Sequence, residues 1–168
     1  MTEYNNNKEF HIEDYRDILF NVYELARERS QNEEGADNTF SFTSPHFDVD
    51  EIVAKRETSK LLNYLQSLDM DSIKVIQTVM YIGRDYEMEP YSDEEMEVFI
   101  ERQADDPEYQ IPEKQIVVSD SNKVVNEWMN EIKNGTGWES KEIEINQIYG
   151  KSPLDIYLQR AFRILQIR

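Results

Sequence analysis

The side chains in this chain that could do chemistry are mainly carboxylates. From Asp85 to Glu108 there are eleven acidic residues and one basic residue, Arg102. Glu94, Glu97, Glu101 and Asp105 recur at the spacing that puts side chains on one face of a helix. Three chemistries fit such a face. It can contribute oxygen ligands to a hard cation such as Mg²⁺. It can dock on a basic protein surface. It can also be the solvated side of an acidic helix. The metal reading requires carboxylates from a second helix facing the first.

Gly83-Arg84 is the sharpest local feature outside that segment. Arg84 at a helix end could hold an anion. The plainer account is that it satisfies the last helical carbonyls, or pairs with Asp85 or Glu87, because cations favour helix C-termini. His46-Phe47-Asp48-Val49-Asp50-Glu51 could offer metal ligands from a loop. His11 is the only other histidine, however, and no His-x-x-x-His pair exists, so Asp48 or Asp50 reads better as a helix cap. Serines are present without a Gly-x-Ser-x-Gly elbow. No glycine loop can cradle a phosphate, and no cofactor is expected. Trp128 and Trp138 read as core or core-edge residues.

Composition narrows the classes further. Acidic residues number 35 against 18 basic, a net charge of −17. Direct binding to nucleic acid or to an anionic membrane is not expected, since both need Lys/Arg patches. A basic protein partner, reached by electrostatic steering, remains open. The chain contains no cysteine, which removes disulfides, thiolate nucleophiles and thiolate zinc sites. The first residues, MTEYNNNKEF, are polar, so no signal peptide is expected, and no apolar run in the sequence reaches membrane length. The expectation is one cytoplasmic domain over residues 1–168, with residues 1–10 frayed.

The element that must position everything else is Ile73 to Arg84, IKVIQTVMYIGR. Ile73, Ile76, Val79 and Met80 share one helical face while Val75 and Ile82 lie off it, so this helix is expected to be buried on more than one side. Asp69, Asp71 and Ser72 supply N-cap candidates, and Gly83 fits a left-handed stop. Before it, a helix is expected over Ile12–Arg29 with Ile12, Tyr15, Leu19, Val22, Tyr23 and Ala26 inward. A second is expected over Val49–Leu68, carrying Ile52, Leu61, Leu62, Leu65 and Leu68, and folded back antiparallel on the central helix. Thr39–Thr43, TFSFT, could form a short strand given a partner.

After the central helix, Ser92 with Glu95 forms a capping box that opens a fourth helix, with Met96, Phe99 and Ile100 inward and its end near Asp105–Pro107. Ile116-Val117-Val118 could be a strand or a lead-in to the next helix. That helix starts at Asp120 or Ser121, carries Val124, Val125, Trp128, Met129 and Ile132, and stops at Gly135. KEIEINQI, Lys141–Ile148, fits strand alternation and helix alike. Ser152-Pro153-Leu154-Asp155 starts a last helix with Leu154, Tyr157, Leu158, Ala161, Leu165 and Ile164 as its inward candidates. The fold class is therefore all-α, a compact bundle of about five or six helices with room for one short two-stranded element.

Lys60 to Arg84 resembles the signature of an uncharacterised bacterial family, a domain of unknown function. Its members carry a Glu-Leu-x-x-x-Ile-x-x-Leu helix, an Asp-containing turn, and an apolar helix ending in Met-Trp-Ile-Gly-Arg-Gly. Here the ending is Met80-Tyr81-Ile82-Gly83-Arg84-Asp85. Leu25-Ala26-Arg27-Glu28 is similar to an Ala-Arg-Glu element of that family, and Val124–Ile132 to its closing helix. Asp85 departs from the family glycine, the acidic segment is longer, and the tail after Gly135 has no counterpart. The resemblance implies a helical fold and assigns no catalytic residue.

The favoured functional reading is a non-enzymatic acidic interaction module of inhibitor, immunity or regulatory type. It would dock on a basic partner through Glu94, Glu97, Glu101 and Asp105, with Arg84 as a further contact. The alternative is a metal-dependent hydrolase of helical fold using carboxylates of the fourth helix and a neighbour.

Overall fold

The computed structural model of the chain describes residues 9–34, 59–86, 91–112, 114, 116–151 and 153–168. The expected strand at Thr39–Thr43, the His46–Glu51 cluster, the first half of the second expected helix with Ile52, and the Ser152 cap lie outside the described residues. Within them the protein is all-α: seven helices and no strand. A short 3-10 turn, Ile12–Tyr15, leads into α1, Arg16–Glu34. There follow α2 (Lys60–Ser67), α3 (Met70–Asp85), α4 (Asp93–Asp105), α5 (Ser121–Asn134), α6 (Lys141–Tyr149) and α7 (Leu154–Leu165).

The centre is α3. Ile73, Ile76, Val79, Met80 and Ile82 are completely buried, and Val75 nearly so. This follows from the apolar positions around its circumference: α5, α6 and α7 all pack on it. Asp69 caps it, its carboxylate accepting from the Ser72 N–H at 2.8 Å. Each fully buried aliphatic side chain contributes roughly 1.5–3 kcal/mol relative to exposure.

Around α3 the other elements follow their apolar stripes. Leu19, Val22 and Ala26 of α1 face the core, with Tyr15 and Tyr23 at its edge. On α7, Leu154, Leu158, Ala161, Phe162, Ile164 and Leu165 are buried against α3 and α1. KEIEINQI is helical, because Ser140 caps it through the Ile143 N–H and because Ile145 and Ile148 turn together into the core. Ile116–Val118 is a lead-in without regular structure, and the Val118 N–H donates to the Ile164 carbonyl at 3.0 Å.

Three sequence expectations need correction. The α2 helix does not lie antiparallel along α3; it packs on α1 and α6, so the Leu68-Asp69 link turns a corner. The chain does not stop at Gly83 in a left-handed turn, since α3 continues to Asp85. Gly83 is instead where α3 and α7 touch: a β-carbon there would fall 1.8 Å from the Tyr157 carbonyl oxygen. The expected stop of α5 at Gly135 holds, and the left-handed glycine that follows is Gly137, at φ 69°. Finally, α4 does not turn Met96, Phe99 and Ile100 into the core. None of its residues is buried, and Ile100 is 57% exposed.

Candidate functional site

Residues 91–112 and Lys114 form an arm that folds mainly on itself. Ser92 and Glu95 close the capping box: the Ser92 hydroxyl accepts from the Glu95 N–H at 3.2 Å, and the Glu95 carboxylate accepts from the Ser92 N–H at 2.8 Å. That backbone donor, with desolvation opposing and Lys114 assisting, holds the Glu95 carboxyl below its ordinary range. After α4 the chain returns beside it. Tyr91 meets the Phe99 ring edge-on at 4.7 Å and donates its hydroxyl to the Pro112 carbonyl at 2.5 Å. Gln103 donates to the Tyr109 carbonyl at 3.3 Å, and Arg102 lies over the Tyr109 ring. Neither Met96 nor Phe99 packs on the core cluster. Among the described residues α4 makes no more than glancing contact with any other helix.

The arm leaves the predicted carboxylates in solvent. Glu94, Glu97, Glu101 and Asp105 are all exposed on the side of α4 turned away from Phe99. Among the described residues no second helix presents carboxylates to them, and no group of three His, Cys, Asp or Glu side chains could hold a metal ion. The facing ligands that the hydrolase reading needs are therefore not among the described residues.

Arg84 belongs to a different environment. Its guanidinium donates to both Asp85 carboxylate oxygens, at 2.6 and 2.5 Å, and lies over the Tyr81 ring. The hydrogen bonds between the two side chains push the Asp85 carboxyl down and the guanidinium up from their ordinary values. The carbonyls at the end of α3 are taken by Arg160 of α7, which donates to Gly83 at 2.6 Å and to Tyr86 at 3.1 Å. The expectation that Arg84 pairs with Asp85 holds, and the capping role passes to Arg160. No spacing rule signals a cap that arrives from 76 residues further along the chain.

Sequence reasoning also missed the polar cluster in the core. Glu144 is 2% exposed. Its carboxylate accepts from the Gln77 amide at 2.6 Å and from the Glu139 N–H at 3.0 Å. Gln77 also donates to Gln147 and accepts from the Trp138 indole at 2.8 Å. Lys74 stands over the Trp138 ring. The set ties the α5–α6 connection and α6 to α3, and every interaction within it is internal. It anchors the fold, as buried polar groups with full partners do. Trp128 is at the core edge, stacked on Tyr86 at 6.2 Å.

Compared with family models, curated proteins and solved structures, the chain finds no match. No helix among the described residues is long and apolar enough to cross a membrane.

Proposed function

We propose that this chain is a non-enzymatic, acidic interaction module of the cytoplasm, of inhibitor, immunity or regulatory type. Its bundle carries α4, and α4 docks on a basic protein surface. The observation that supports this reading is the placement of α4: it buries none of its residues, makes no more than glancing contact with the other described helices, and holds Glu94, Glu97, Glu101 and Asp105 in solvent. A helix that adds little to the core needs another reason for its apolar residues and its charge. A net charge of −17 adds long-range attraction for a basic surface, which raises encounter rates and orients the approach.

The test is selective retention. The chain is immobilised, exposed to cell extract at low salt and eluted with rising salt, beside the Glu94→Gln/Glu97→Gln/Glu101→Gln variant. Gln keeps helix propensity and removes the charge. A protein that docks on α4 is held by the parent chain and released early, or never retained, by the variant. If both retain the same proteins to the same salt concentration, the proposal is wrong.

A further inference from the structure

We infer that the occupant of the outer face of α4 is a basic α-helix lying along it, a deepening that rests on the docking reading above. α4 has 13 residues, about 20 Å at 1.5 Å per residue. At 3.6 residues per turn, Phe99, Gln103 and Met96 point toward the return segment. The opposite side carries Glu94, Glu97, Glu101 and Asp105 as a lengthwise stripe. That stripe is bordered by Val98 on one flank and Ile100 on the other, residues 52% and 57% exposed. Arg102 lies beyond Val98 and leans over Tyr109, so it does not neutralise the stripe.

The pattern of acid between two apolar edges fits one kind of complement. Lysine and arginine side chains have apolar stems and charged heads. On a helix paired with α4, their stems would cover Val98 and Ile100 while their heads reach the carboxylates. A run of carboxylates at spacings of three and four keeps the same rise along the axis as Lys or Arg at i, i+4 and i+7 on such a helix. A phosphate backbone would be repelled by the same stripe. An unstructured basic tail could meet the charges but would leave the apolar edges wet.

The test uses two synthetic fluorescent peptides of identical composition. One carries Lys and Leu at helical spacing, and the other has the same residues scrambled so that no face forms. Anisotropy titration of the full chain is predicted to give at least about tenfold tighter binding of the periodic peptide, a difference of about 1.4 kcal/mol. Val98→Ser/Ile100→Ser, both on exposed positions, should abolish that preference and leave the salt dependence intact. Equal binding of the two peptides by the parent chain overturns the helix inference and leaves acidic docking standing. Binding of neither peptide overturns both.

Discussion

The carbonyl oxygen of Tyr157 lies 1.8 Å from the point that a β-carbon on Gly83 would occupy. Two helices, α3 and α7, therefore meet there backbone to backbone. The contact involves main-chain atoms, which cannot swing aside like a flexible side chain. Gly83→Ala sets about 1 kcal/mol of gained helix propensity against overpacking that typically costs about 1–3 kcal/mol and more where backbone must move. We expect a net loss near 2 kcal/mol in urea unfolding. A variant as stable as the parent would contradict this crossing.

Arg160 and Arg84 sit within one turn of the same helix end yet should respond differently. Arg160→Ala removes charge-assisted bonds to the Gly83 and Tyr86 carbonyls, a loss of about 1.5–3 kcal/mol. Arg84→Ala removes a surface pair with Asp85, for which about 0–1 kcal/mol is expected. Melting curves of the two variants decide it. An equal or larger drop for Arg84→Ala would reverse the assignment of the cap.

Much of the architecture was legible in the sequence because it rests on periodicity and caps. The buried face of α3, the Asp69 and Ser92 caps and the inner stripes of α1, α5 and α7 all follow from local spacing. What was not legible depends on contacts distant in sequence. Gly83 at the end of an apolar run looks like a stop until Tyr157 is seen beside it. KEIEINQI alternates like a strand until Gln77 is there to receive Glu144. Ile100 looks inward-facing until α4 is seen to face no other helix among the described residues. The acidic face of α4 was legible as a pattern, and the folded chain adds its isolation from the core and its apolar edges.

The Asp69 cap gives a pH dependence with a definite sign. Hydrogen bonds from Ser72 hold its carboxyl below the ordinary value of 3.8. Its contribution is therefore fully present above that value and is lost as pH falls through the lower folded-state value. Asp69→Asn keeps an acceptor without a titrating group, so its stability should fall less than that of the parent as pH drops below about 4. Asp69→Ala should cost about 1 kcal/mol at neutral pH. Parallel pH profiles for the parent and Asp69→Asn would contradict the role of this carboxylate.

Ile76 and Phe99 measure the separation of bundle and arm. Ile76→Ala opens a cavity in a completely buried site, at a cost of about 2–5 kcal/mol to global stability. Phe99→Ala removes the ring that Tyr91 packs on, outside the core cluster. Hydrogen exchange should then show faster exchange of α4 amides with α3 protection retained. Equal loss of protection in both helices would mean that the arm and the bundle unfold together.

The most direct test of the docking proposal is the association rate with a partner recovered on the parent chain, followed by stopped flow from low to physiological salt. Exposed charges are screened over about 8–10 Å at those ionic strengths. The account predicts that the association rate falls steeply with salt while dissociation changes little. It also predicts that the Glu94→Gln/Glu97→Gln/Glu101→Gln variant associates about tenfold more slowly at low salt, with a flatter salt dependence. An association rate unchanged by those substitutions would contradict it and leave α4 as a solvated surface.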